Sequence, residues 1–279
     1  MGGGEFETRW GKIVFYVLIV LFVLMTVSPL LWMAKLTFVS QTELDAYPPK
    51  ILPESLELTS FETIFGDNRF RAGLINSVII AGVTTVICLS VGSIAAYVLA
   101  RLKFGLRGPV LSMILAVAFF PAVAIIAPLF LQFSNWGIVN TYQSMIIPDV
   151  LFALPLTVYL LVAYFRELPL DIEEAAKVDG AGPMQTFFKV TLPLSIPGVV
   201  TTGLLCFIFA ATEFLFANTF AFDSSTQPVT VIIPQFATEY RTNYGAQAAA
   251  SMIVTIPLTI LVLAFQRRIV SGLTAGAVK

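Results

Sequence analysis

Residues Phe165–Pro193 read FRELPLDIEEAAKVDGAGPMQTFFKVTLP, and the fold turns on how this stretch is read. It is the longest strongly charged polar island in a very apolar chain, and the apolar run on either side is long enough to cross a bilayer. The pattern predicts two short helices with a sharp turn between them. Asp171 is placed to cap the first, with Glu173 and Glu174 in its opening turn, where the positive end of the helix dipole favours carboxylates. Gly180, Gly182 and Pro183 break that helix, and the second piece, about Gln185 to Val190, is expected to stop at Leu192-Pro193. Such an elbow carries no catalytic chemistry. It reads either as a solvated loop or as a handle gripped by something in the water phase.

The composition around the island excludes several classes. Of 279 residues, 57% are hydrophobic and 12% charged, and the mean hydropathy is +0.88. A soluble domain carries about twice that charge. The chain is therefore an all-α polytopic membrane protein of one transmembrane domain. A net charge of -1 argues against a nucleic-acid partner, and the absence of His removes His-based triads and the commonest metal ligand. No GxxxxGK[ST] phosphate loop occurs, so the chain does not hydrolyse ATP itself, and no metal or cofactor site is expected. Cys88 and Cys206 both fall in apolar runs, which predicts buried thiols. Met1-Gly2-Gly3-Gly4 fits a flexible linker or an expression remnant, and Phe6 stands where a myristoylation pattern needs Ser or Thr.

Outward from the elbow, six spans are predicted: about Ile13 to Met33, Leu74 to Ala100, Val110 to Phe133, Tyr142 to Phe165, Ile196 to Phe220 and Gly245 to Phe265. The first is too long for a signal-peptide core. Pro121 and Pro128 predict kinks in the third. Arg9 and Lys12 before the first span, Arg101, Lys103 and Arg107 after the second, and Arg267 and Arg268 after the sixth place both termini and the elbow in the cytoplasm. The organisation expected is a cytoplasmic segment 1–12, a permeating domain 13–266 with the elbow at 166–193, and a cytoplasmic tail 267–279. The polar segment from about Ala34 to Arg71 reads as a solvated linker or a small ordered external patch.

Glu174-Ala175-Ala176, then Gly180, then Val190 and Leu192-Pro193, resembles the EAA motif of ABC importer permeases, with every fixed point at that motif's spacing. The resemblance extends to Asn76-Ser77, to Ala95–Arg101, to Gly137–Thr141 and to the tail from Gln266 to Lys279, which is similar to that of the maltose permease subunit with the shorter external loops and of trehalose-importer permeases. It implies a type I ABC importer transmembrane domain in the bacterial cytoplasmic membrane. The implied cargo is a disaccharide such as trehalose or maltose, with a polyol, glycerol phosphate or another osmolyte as alternatives. It also implies a heterodimer with a second permease subunit, two ATPase subunits that hold ATP and Mg, and an extracytoplasmic sugar-binding protein. The elbow would then be the coupling helix, with Glu173, Glu174, Ala175, Ala176, Asp179, Gly180 and Ala181 at the ATPase. Gly272, Leu273, Thr274, Gly276 and Lys279 of the tail would reach between the ATPase subunits, although composition alone makes that tail a frayed terminus.

Pathway candidates follow from the cost of polar groups in hydrocarbon. Glu213 lies inside an apolar run, where a carboxylate costs about 2.5 kcal/mol or more unless paired, protonated or wetted. It reads as a pathway group or as a structural hydrogen bond to a neighbouring helix. The Trp-Asn pair that relatives often have before this acid is replaced by Ala211 and Thr212. Asp149 reads as interfacial or as lining the outer mouth. Asn218 and Gln132 read more readily as packing or interhelical hydrogen-bond residues than as ligands, and Asn218 stands as a further pathway candidate. An autonomous channel or secondary transporter would need more intramembrane charge than these positions supply.

Overall fold

The computed structural model describes residues 9–47, 55–101, 105–236 and 243–275, with side chains through Gln266. Among them no strand occurs, and the elements follow in order: α1 (Arg9–Thr37), α2 (Gln41–Leu44), α3 (Thr59–Gly66), α4 (Asn68–Arg101), α5 (Arg107–Ala118), α6 (Ala122–Trp136), α7 (Tyr142–Glu167), α8 (Leu170–Val178), α9 (Pro183–Thr186), α10 (Leu192–Leu194), α11 (Ile196–Ala211), α12 (Leu215–Phe220), α13 (Val229–Ile232) and α14 (Tyr244–Ala275). Among the described residues α1, α4, α7 and α14 are each long and apolar enough to cross a membrane, and two further spans arise if each of two bent helix pairs counts as one.

Two compact units divide the chain, residues 1–67 with 234–255 and residues 68–233 with 256–279. In the first, α1 runs on to Thr37, past the expected end at Met33, and leaves its apolar side chains exposed from Ile13 to Leu24. The polar segment after it is ordered where it is described. Ser40 caps α2 by accepting from the Glu43 N–H at 3.3 Å. Glu57 N donates to the Phe38 carbonyl at 2.8 Å, and the Phe38 and Phe61 rings lie 5.5 Å apart.

The second unit is built on α4 and α7. Asn76 near the start of α4 meets Tyr142 at the start of α7, and Arg101 at the end of α4 meets Leu168 just beyond the end of α7. The two helices therefore run parallel, and the chain returns between them through α5 and α6. α11 runs back against both. Small residues let these apolar helices approach: Ala96 and Ala100 on α4 pack with Leu161 and Phe165 of α7, and Cys88, Ala153 and Cys206 join α4, α7 and α11.

Two expected spans are interrupted, and the elbow carries a bend of its own. The third breaks at Phe119–Pro121 into α5 and α6, 81° apart, where kinks alone were expected. Pro121 takes an extended ψ of 113°, and its ring also disfavours helical backbone at Phe120. The fifth ends as α11 at Ala211, resumes as α12, and does not run through to Phe220 unbroken. At the elbow, the helical pair ending at Leu194 and beginning at Ile196 is bent by 78°. Other boundaries move less. α4 begins at Asn68, six residues before Leu74. The backbone of α14 stays helical to Ala275, through Gly272, Leu273 and Thr274, where a small flexible tail was expected. Gly276 and Lys279 lie outside the described residues.

Candidate functional site: a helical elbow and a bundle-spanning frame

The elbow starts where a proline permits. Leu168 and Pro169 hold ψ near 133° and 132°, so α7 stops and α8 begins at Leu170. Pro169, rather than Asp171, takes the cap position and makes no side-chain cap. Asp171 and Glu173 sit instead in the first turn. At the other end Gly180 adopts φ +84°, Gly180 N donates to the Lys177 carbonyl at 3.0 Å and Ala181 N to the Ala176 carbonyl at 2.9 Å. This is a Schellman cap, whose left-handed position selects glycine. The segment after it is longer than expected. α9 opens at Pro183, a wide π turn covers Phe187–Thr191, and helix continues across Pro193 to Leu194. Leu192 N reaches back five residues to the Phe187 carbonyl, so the ladder is already widened before proline removes a donor.

The two adjacent glutamates do opposite things. Glu174 is exposed, as are Ala175 and Asp179, while Ala176 and Ala181 are half-buried. Glu173 is buried. Arg101 Nε donates to its Oε1 at 2.7 Å, and Thr191 Oγ1 donates to the same oxygen at 3.0 Å. The Arg101 and Glu173 side chains are only 7% and 5% exposed. A second donor of the guanidinium, Nη2, reaches the Leu168 carbonyl at 3.0 Å, which α7 leaves free at its end. One ion pair thus ties α4, the end of α7, α8 and the π turn together. Beside it Tyr97, Phe165 and Phe187 form an aromatic cluster with ring centroids 5.0 to 6.4 Å apart. The outer surface of the elbow carries Glu174 among exposed apolar side chains: Leu170, Ile172, Val178, Met184 and Phe188. Charge counting read Arg101 as an orientation signal. Its partnership with Glu173 was not foreseen, because an exposed and a buried glutamate look alike in sequence.

The other end of the frame is held without charge. Asn76 Nδ2 donates to the carbonyls of Ser225 and Gln227 at 3.0 and 2.9 Å, and its Oδ1 accepts from Tyr142 Oη at 2.7 Å. Ser77 Oγ accepts from Val229 N at 2.9 Å. Asn140 adopts φ +62°, and its Oδ1 accepts from Phe222 N, Asp223 N and Thr226 Oγ1, each at 2.9 Å. Gly73 lets α13 lie close: a Cβ there would stand 3.3 Å from the Val229 Cα. The short stretches at Asn76-Ser77 and Gly137–Thr141 therefore meet in one network around the loop between α12 and α13.

The pathway candidates separate. Glu213 sits at the break between α11 and α12, where its two carboxylate oxygens accept from Phe216 N at 2.8 Å and Ala217 N at 3.0 Å, and its carbonyl accepts from Thr230 Oγ1 at 2.8 Å. It caps the next helix of its own run. Asp149 is 1% exposed, two turns into α7, with Ser77 and Ile80 of α4 and Ala210 of α11 beside it. Asn218 and Gln132 are exposed. A separate recess of about 270 Å³ between α5, α7 and α11 is apolar apart from Thr157, Thr202 and the Cys206 thiol.

Residues 89–274, which include the whole elbow, match the family described as "Binding-protein-dependent transport system inner membrane component". The chain belongs to this family. The permease is 39% identical over 254 residues to the trehalose transport system permease protein SugB of Mycobacterium tuberculosis, covering 90% of this chain and 92% of that one. It is 38% identical over 263 residues to the trehalose/maltose transport system permease protein MalG of Thermococcus litoralis, covering 93% and 94%. With the sulfoquinovosyl glycerol transport system permease protein SmoH of Agrobacterium fabrum it shares 34% identity over 251 residues, covering 90% and 88%. Its fold matches a chain from a crystal structure of a bacterial ABC transporter involved in alginate import, with TM-score 0.78 at 20% identity over 94% of this chain and 98% of that one. The permease is thus a helical, membrane-spanning subunit of a binding-protein-dependent importer and an inner-membrane component.

Proposed function

We propose that this chain forms half of the translocation pathway of an ATP-driven carbohydrate importer, with a disaccharide such as trehalose or maltose as its cargo. The trehalose and maltose systems of the two relatives described above support the cargo class. The relative from a sulfoquinovosyl glycerol system favours a second reading, a glycosylated glycerol carried by the same mechanism. The chain is non-catalytic and holds no ATP or Mg; two ATPase subunits supply both, a second permease subunit completes the pathway, and an extracytoplasmic binding protein delivers the sugar. Both termini and the elbow face the cytoplasm, in keeping with Arg9, Lys12, Arg101 and Arg107 beside the spans. The tail from Gly272 onward reaches the ATPase subunits.

The observation that carries this reading is the division of labour at Glu173 and Glu174. Glu174 and its apolar neighbours face outward, where a partner can take them, while Glu173 fastens the base of the same helix to α4. A push on α8 then becomes a push on a membrane-crossing helix. The test of cargo is uptake of labelled trehalose, maltose and glucosylglycerol by the reconstituted complex, together with solute-stimulated ATP hydrolysis. Uptake of none of them would overturn the carbohydrate assignment. Sidedness is tested by Lys177→Cys in a background lacking Cys88 and Cys206. The label should be protected from an impermeant thiol reagent outside intact cells, and rapid labelling would reverse the orientation.

A further inference from the structure

Asp149 and Glu213 line one small recess, with Ser77, Met145, Ala210 and Pro228 among its other walls. Its volume is about 10 Å³, the room of a single water molecule. Asp149 is 1% exposed, and its Oδ1 accepts no hydrogen bond. No Lys or Arg lines the space. The titratable groups that act on Asp149 are Glu213 on one side and, toward α11 and α4, the thiols of Cys206 and Cys88, so among the described residues no cation answers its charge.

The two acids are not equivalent. Glu213 receives two backbone N–H bonds, which suit an ionised carboxylate. Asp149 receives none. An ionised carboxylate buried in a membrane bundle without donor or counter-ion costs several kcal/mol, and the group is neutral in preference. A neutral carboxylic acid has an O–H to donate, and a water in the shared space can accept it and pass a second hydrogen bond on to Glu213.

We propose that Asp149 and Glu213 are a proton-binding pair: Asp149 carries the proton as a neutral acid, and one buried water links it to ionised Glu213. The pair holds a single negative charge in this arrangement. When α7 and the α11–α12 break separate enough to admit bulk water, Asp149 gives its proton to that water and both acids are ionised. Proton occupancy therefore reports the packing of α7 against α11 and α12.

The test is infrared spectroscopy of the assembled transporter in lipid at neutral pH, with aspartate labelled by ¹³C. The proposal expects a protonated-carboxyl C=O band that shifts with the aspartate label and with deuterium exchange. That band should vanish in Asp149→Asn, whose thermal midpoint should stay near wild type because the amide replaces a neutral group of the same shape. In Glu213→Gln it should persist at a shifted frequency, since its hydrogen-bonded acceptor has changed. Absence of an aspartate-dependent band from the wild-type protein overturns the proposal, and that measurement stands even if Asp149→Asn does not fold. Loss of the band in Glu213→Gln but not in Asp149→Asn also overturns it, as does a thermal midpoint raised by sodium or potassium only when Asp149 is present, which would make the space a cation site.

Discussion

The elbow end and the loop end of the α4–α7 frame are held by opposite means. At the elbow, a buried ion pair and an aromatic cluster join four segments, through the Arg101 guanidinium and the Glu173 carboxylate together. At the loop, two asparagines and a serine hold backbone groups with no formal charge among those contacts. A buried ion pair is strong against removal of one partner and weak against replacement of both. A neutral amide network loses smaller amounts, one group at a time. The elbow is thus all-or-none in its attachment to α4, as the transmission of a displacement proposed above requires. The loop is a set of separate fastenings that hold it in register.

The largest effect tests that contrast directly. Glu173→Ala leaves Arg101 buried without its counter-charge and is expected to cost about 3–5 kcal/mol, read as a lower thermal midpoint and reduced yield of the complex. Arg101→Met together with Glu173→Leu should recover most of the loss, and no recovery would show that the pair is not the fastening. At the loop, Asn76→Ala strands the Ser225 and Gln227 carbonyls and the Tyr142 hydroxyl. Roughly 1–3 kcal/mol is expected from such buried polar groups, and a cost matching that of Glu173→Ala would erase the distinction between the ends. Asn140 separates side chain from backbone: Asn140→Gly keeps φ +62° available, and Asn140→Ala should be worse than it by roughly 1–2 kcal/mol.

Gly180→Ala carries a backbone cost of the same size. No heavy atom lies within 4 Å of its added Cβ, so the whole cost is the left-handed backbone, roughly 1–2 kcal/mol. The melting temperature should move little, while the angle of α8 and hence solute-stimulated ATP hydrolysis should change. Glu174→Ala marks the lower limit for stability. Its side chain is exposed, so thermal unfolding should match wild type while co-purification of the ATPase subunits falls. Wild-type co-purification would remove Glu174 from the interface and leave the apolar residues around it to carry the contact.

Much of this architecture was legible in the residues. Apolar run length gave α1, α4, α7 and α14, because a helix in lipid must satisfy its own backbone and needs enough apolar length to cross. The glycine at 180 announced the turn, since a left-handed cap position tolerates little else. The breaks were harder to read. Pro121 and Pro128 carry the same local signal, yet the chain breaks at the first and stays helical through the second. Glu213 looked like an isolated charge in a continuous span, and it is a cap at the end of one helix and the start of another.

By itself the sequence determined that this chain spans a membrane, that it turns at Gly180, and that a charged elbow interrupts its apolar runs. Those properties depend on local composition and backbone preference, which neighbours in the chain are enough to set. Only the tertiary structure decided which glutamate of the Glu173-Glu174 pair is anchored and which is offered, that Asn76 and Asn140 hold one loop, and that Asp149 and Glu213 face one space. Each of these joins residues tens of positions apart, and burial and hydrogen bonding between such residues exist only once α4, α7 and α11 have packed.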